Sequence, residues 1–262
     1  MKYTIKNEFL TLDVDTKAAE MHSLKRNDDD YEYLWQGDPK YWAGRNPTLF
    51  PQVSSTPTKT NILYGKEYPM GNHGFARNSE FELVEVKDKE LTLVLKDNEE
   101  TRKQYPYSYE LFITYTLKED LVDITYKIVN KNEEVMPFGF GLHPAFNCPL
   151  DYKDTVITMD DKEELVISEE LFKQYPTYIY HPNTFSKAVL KTNNHALEVD
   201  FKGYTNLAIW SPFGPFVCIE PWMCLPAQLM PGVDFEKREE YIHLPANEVF
   251  TISHQIKPLG KI

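Results

Sequence analysis

Long apolar runs are missing from this sequence: nothing approaches the roughly 20 consecutive apolar residues that a membrane-spanning helix needs. The first residues, Met1-Lys2-Tyr3-Thr4-Ile5-Lys6-Asn7, lack the apolar core of a secretory leader and run directly into a strand-like pattern, so a cytoplasmic protein is expected. Cysteine is scarce. Cys148, Cys218 and Cys224 are an odd set without the spacing of a disulfide framework or a paired-thiol zinc site, and free thiols in a reducing compartment are expected. Positive charge is also short: 28 Lys and Arg face 40 Asp and Glu, a net charge of −12. That field repels polyanions, which argues against nucleic acid or an anionic membrane as partner. A small phosphorylated metabolite needs only a local basic cluster and stays open. There is no glycine-rich phosphate loop and no closely spaced ligand cluster, so no nucleotide, metal or redox cofactor is expected.

What the chain does have is aromatics and alternation. Phe, Trp and Tyr make up 14% of it, and flat rings suit both pleated sheets and the C–H faces of a sugar. Hydrophobic residues at 42% and charged residues at 26% describe an ordinary globule with a sizeable core. In Tyr109 to Leu117 the odd positions are apolar, in Leu121 to Ile128 the even ones, and Lys118-Glu119-Asp120 joins them as a β-hairpin. Phe81 to Val86 and Leu91 to Leu95 read as a second hairpin around Lys87-Asp88-Lys89-Glu90, and Val249 to Ile256 alternates again. Only Asp161 to Tyr175 reads as helix, and 18 prolines argue against long helices elsewhere. With no repeat, linker or low-complexity tract, residues 1–262 are expected as one all-β domain, a large antiparallel sandwich or barrel.

Three segments set polar chemistry in an apolar frame. In Gly71-Asn72-His73-Gly74-Phe75-Ala76-Arg77, glycines let the backbone bend or approach a ligand, and His73 and Arg77 offer a donor and a planar cation on one loop. A surface turn explains the same spacing equally well. In Phe138-Gly139-Phe140-Gly141-Leu142-His143-Pro144, the histidine is held between leucine and proline; a satisfied core histidine is the competing reading. In Ile209 to Trp222, Glu220 closes an apolar strand against Pro221. A carboxylate there is paired, protonated or facing a cleft, and desolvation raises its pKa as a general base requires.

These three segments, in this order, resemble the aldose 1-epimerase (galactose mutarotase-like) superfamily, and most closely its LacX-like bacterial branch. Leu49-Phe50-Pro51 and Tyr105 to Leu111 resemble that branch as well. The resemblance implies an antiparallel β-supersandwich with an open cleft on one large sheet. It implies Glu220 as general base and His143 as general acid, with His73 and Arg77 contacting the sugar. The chain departs from the pattern twice. Relatives commonly carry an arginine soon after the Phe-Pro pair, where this chain reads Gln52-Val53-Ser54-Ser55, and Arg45 is the nearby residue that could stand in. For the family's further substrate-binding aspartate, Asp160 and Asp161 are the positions considered.

Interconverting sugar anomers needs one group to take the C1 hydroxyl proton and another to protonate the ring oxygen, so a carboxylate and an imidazole suffice without metal. The expected partner is a small sugar or sugar phosphate, and the protein a monomer or homodimer. A non-catalytic carbohydrate-binding protein on this fold has no use for both His143 and Glu220. A cupin-type metal isomerase using His73, His143 and Glu220 lacks the closely spaced ligand pair of that class.

Overall fold

Alternation in the sequence becomes alternation of burial in the computed structural model, which describes residues 1–262. Along Tyr109–Lys118 the odd-numbered side chains are buried, and along Leu121–Asn130 the even-numbered ones are. The two strands pair antiparallel from Lys118 opposite Leu121 to Tyr109 opposite Asn130, which is the expected hairpin. They occupy the middle of a nine-stranded sheet. To one side of Leu121–Asn130 lie Val249–Lys261, His195–Asp200, Lys187–Lys191, Val156–Met159 and Glu163–Val166. To the other side of Tyr109–Lys118 lie Glu90–Lys96 and, at the edge, Glu82–Lys87. That second hairpin also forms, but its outer strand is exposed throughout and slips register between Leu83 and Glu85. Charged pairs, Glu85 with Lys87 and Glu82 with Lys96, guard this open edge against another strand.

A second sheet carries, in order, Tyr178–Tyr180, Asn206–Trp210, Phe216–Trp222, Gly141–Leu142 and Thr48–Leu49, with Ala145–Asn147 also paired to Phe216–Trp222. Strands Lys2–Lys6, Leu10–Asp15 and Met21–Arg26 form a third, smaller sheet. The two large sheets meet through aromatic side chains: Phe50 packs against Tyr109 with ring centres 5.1 Å apart, and Phe140 against Tyr126 at 5.2 Å. One cluster of 59 buried residues, from Ile5 to Ile256, runs through both, so they share a core as an antiparallel β-sandwich. No helix is long and apolar enough to cross a membrane.

Three local expectations change. Of the helix expected from Asp161 to Tyr175, only Glu169–Gln174 forms, starting where Ser168 Oγ accepts from Leu171 N at 3.2 Å. Asp160 and Asp161 instead take φ of +47° and +55° in a tight turn, and Glu163–Val166 returns along Val156–Met159. Its Glu-Glu-Leu spacing suits a helix, but the unpaired edge of Val156–Met159 supplies hydrogen bonds that a solvent-facing helix turn could not match. The C-terminal strand extends past Ile256 to Lys261. Nor does the Glu220 strand stop at Pro221: Pro221 lies opposite Leu207, and pairing continues to Trp222, opposite both Gly141 and Asn206.

Tyr115 crosses the core to donate its hydroxyl to Ala19 O at 2.6 Å. Tyr115→Phe strands that buried carbonyl and is expected to cost about 1–3 kcal/mol. The measurement is a urea midpoint lowered at constant m-value; an unmoved midpoint would mean the bond contributes nothing to stability.

Candidate active site

Strand register puts the key pair together. Gly141 pairs with Trp222 and Ala145 with Cys218, so the same antiparallel register runs through the interval between them and sets His143 opposite Glu220. The side chains meet with His143 Nε2 3.5 Å from Glu220 Oε2, a contact longer than a good hydrogen bond. Both are nearly out of water, at 6% and 2% exposure, yet both line a cleft of about 370 Å³. Gly141 is needed here because a Cβ would lie 2.6 Å from the Trp222 ring. Trp42 stacks on His143 at 4.7 Å, and Trp210 meets it edge-on at 5.3 Å. These two rings line the cleft with the flat apolar surface a pyranose face requires.

The loop from Gly71 to Arg77 brings the other two residues. Phe50 O accepts from Phe75 N at 3.1 Å and from Ala76 N at 3.3 Å, clamping the loop to the second sheet. Gly74 makes the approach possible: its φ is +69°, and a Cβ there would sit 2.2 Å from Phe50 O. His73, with φ of +65°, donates its amide to Ser54 O at 2.8 Å, while its ring Nδ1 accepts from Ser54 N at 3.0 Å. The neutral ring therefore carries its proton on Nε2. Its edge meets the His143 ring at 5.5 Å.

Electrostatics follow from burial. Desolvation pushes the Glu220 carboxyl well above the usual carboxylate range, opposed by the Trp222 indole and the Arg77 guanidinium. The indole N–H lies beside the carboxyl without a partner of hydrogen-bond geometry. Desolvation drives His143 well below its usual range, helped by His73 and Arg77. Burial and Arg77 hold His73 down to about 3. Arg77 itself is lowered by burial and sustained by Glu20 and Glu220. It is the one lysine or arginine lining the cleft.

His73, Arg77, His143 and Glu220 thus converge on one cleft. Arg45 does not join them. Its backbone N–H faces Glu20 Oε1 at 3.4 Å, and its guanidinium reaches the Trp35 carbonyl at 3.5 Å, outside the residues lining the cleft. Asp160 spends its carboxylate on Ser186 N and Lys187 N, which lock the turn before Glu163–Val166, and Asp161 is exposed beside it. Neither lines the cleft. Within Gln52-Val53-Ser54-Ser55, Ser54 lines the wall of the cleft and donates to Gln228 Oε1 at 3.0 Å. Cys218 was not expected near the site. Two residues before Glu220 on one strand, it shares that face, and its Sγ joins His143 and Glu220 in a set of possible metal ligands within 4.8 Å of one another. Burial and Glu220 push the Cys218 thiol well up, which disfavours the thiolate that a metal would need.

Residues 1–208 match the family model described as aldose 1-epimerase. The chain belongs to the aldose 1-epimerase family. His73, Arg77 and His143 fall inside the matched segment and Glu220 beyond it. The plasmid-borne protein LacX of Lactococcus lactis subsp. lactis is 30% identical over 280 aligned residues, covering 92% of this chain and 93% of the relative. A galactose mutarotase related enzyme from Lactobacillus acidophilus is 31% identical with a TM-score of 0.92, covering 98% of this chain and 97% of that one. A galactose mutarotase-like protein from Lactobacillus casei ATCC 334 is 27% identical, also with a TM-score of 0.92, and covers 98% and 100%. The antiparallel sandwich of this aldose 1-epimerase family member is therefore that of galactose mutarotase-like proteins.

The clamp on the His73 loop gives a paired expectation. Gly74→Ala, with its clash and positive φ, should cost about 3 kcal/mol or more. Gly71→Ala, whose Cβ would meet nothing within 4 Å, should leave the thermal midpoint nearly unchanged. Equal effects from the two substitutions would remove the clamp from the account.

Proposed function

We propose that this protein is an aldose 1-epimerase that interconverts the α and β anomers of a hexose, free or phosphorylated. The observation that carries the reading is the facing of His143 and Glu220 across one register in a cleft walled by Trp42 and Trp210. Glu220 takes the C1 hydroxyl proton while His143 delivers a proton to the ring oxygen, and the C1–O5 bond breaks. Rotation about C1–C2 presents the other aldehyde face, and the same steps in reverse close the ring. Each group returns to its starting protonation state, so the cycle needs no external acid.

The pair holds one proton in this cycle, on His143 when the cyclic sugar arrives. Burial favours the neutral arrangement with that proton on Glu220. The attraction between carboxylate and imidazolium, together with the Trp222 indole, favours the ionic arrangement. A sugar hydroxyl donating to Glu220 adds to that side. His73, with its proton on Nε2, donates to a sugar oxygen, and Arg77 binds a hydroxyl or an oxyanion. Since Arg77 is the only cation lining the cleft and already lies near two carboxylates, a free hexose suits it better than a phosphorylated one.

Glu220→Gln and His143→Asn should each lower kcat of mutarotation by a factor on the order of 10² to 10⁴ while sugar binding survives. The double variant should be little worse than either single one, because the two groups act as a unit. Wild-type rates in folded Glu220→Gln would take catalysis away from this pair. Sugar binding without any mutarotation by the wild type would make the protein a carbohydrate binder.

Arg77 lowers the pKa of both members of the pair, so its removal raises both. The bell-shaped kcat/KM profile of Arg77→Ala should therefore move as a whole to higher pH, with KM raised more than kcat is lowered. A profile fixed in place, with KM unchanged, would relegate Arg77 to a structural role.

A further inference from the structure

A second cavity, larger than the cleft at about 470 Å³, lies between the hairpin Thr60–Leu63 and Lys66–Pro69 on one side and the segment from Pro231 to Arg238 on the other. Arg238 stands in its wall, 1% exposed. Its Nη1 donates to Tyr241 Oη and its Nη2 to Asn61 Oδ1, each at 2.8 Å, while its Nε–H is buried without a partner. The rings of Phe235 and Tyr241 lie 5.0 and 5.1 Å from the guanidinium carbon. No carboxylate completes this cation. Asp234, on the same cavity, is taken by Lys237 at 2.5 Å, and Glu67 is exposed.

A desolvated arginine held only by neutral groups is an electrostatic debt, and proteins ordinarily settle it with an anion. Two of its five N–H groups are used, and the idle Nε–H belongs to the edge that grips a phosphate with two parallel bonds. The setting is rigid. Asn61, 3% exposed, gives its amide nitrogen to Gln52 Oε1 at 2.9 Å, and Gln52 gives its own to Gly71 O at 3.1 Å, so Asn61 Oδ1 is fixed toward Arg238. On the cavity wall, the Thr58 and Thr60 hydroxyls reach backbone carbonyls only at 3.4 Å, long bonds that a ligand oxygen can replace. We propose that this cavity is a phosphate-binding site, separate from the cleft, in which a small phosphate-bearing metabolite or inorganic phosphate sits on Arg238. The cavity is large enough for more than the anion alone, since small-molecule pockets start near roughly 300 Å³.

The test is calorimetric titration of the full chain with inorganic phosphate. Wild type should bind at one saturable site, and Arg77→Ala, altered only in the cleft, should bind equally well. Arg238→Lys keeps the charge but loses the fork, and Val233→Glu sets a negative charge at an exposed position on the cavity rim; each should weaken binding at least tenfold. Val233→Glu leaves the core untouched, so it decides the matter if Arg238→Lys does not fold. Absence of saturable binding in the wild type, loss in Arg77→Ala, or full binding in Val233→Glu would overturn the proposal. Acetate binding as tightly as phosphate would overturn the assignment to phosphate. With a hexose 6-phosphate as titrant, tighter binding than inorganic phosphate, still sensitive to Val233→Glu, would identify the metabolite as the occupant rather than the free ion.

Discussion

Burying a carboxylate in the middle of a sheet is expensive unless something answers it, and the second sheet is organised around that demand. Every residue of Phe216–Trp222 is buried, so Glu220 has no route to bulk water along its own strand. The answer comes from across the sheet, where the pairings on either side set His143 opposite it, and from the Gly71–Arg77 loop, which delivers a cation. Gly141 clears space for the Trp222 ring and Gly74 lets the loop reach Phe50, so two residues without side chains fix where the charged ones stand. The nine-stranded sheet beneath contributes the apolar face on which this arrangement rests.

Arg77 and Arg238, each in the wall of a cavity, differ in what they face. Arg77 looks toward two carboxylates, and its charge bears on both Glu220 and His143. Arg238 faces an amide, a phenol and two rings, none of which carries charge. The polar chain through Asn61 and Gln52 ends on the carbonyl of Gly71, at the root of the loop that bears His73. One continuous set of buried amides thus underlies the larger cavity and supports one wall of the cleft.

Much of the fold was legible because strands announce themselves with a period of two. Tyr109 to Ile128 needed no tertiary information, as each side chain's face follows from its parity. The segment from Asp161 to Tyr175 misled because its acidic-leucine spacing fits a helix, while the deciding factor was an open strand edge many residues away in sequence. The site was legible in its parts and not in its assembly. His143 and Glu220 stand out as polar groups in apolar frames, but that they face each other depends on a pairing between strands some 75 residues apart. Arg45 lies near the Phe50-Pro51 pair in sequence, and nearness in sequence says little about which side of a sheet a turn faces. Cys218 could have been found from the sequence, since a residue two before Glu220 on a strand shares its face.

The bond from Ser54 N to His73 Nδ1 gives the cleft a fixed polarity at one point. A histidine free to exchange tautomers can greet a hydroxyl as donor or acceptor; here the backbone has claimed the acceptor, and the ring presents a hydrogen alone. A sugar oxygen seated there must offer a lone pair and send its own proton elsewhere. Because the ring stays neutral down to about pH 3, that demand is the same in mild acid as in mild base. The imidazole works less as a titrating group than as a compass needle, fixing which way a hydrogen bond at that point of the cleft must run.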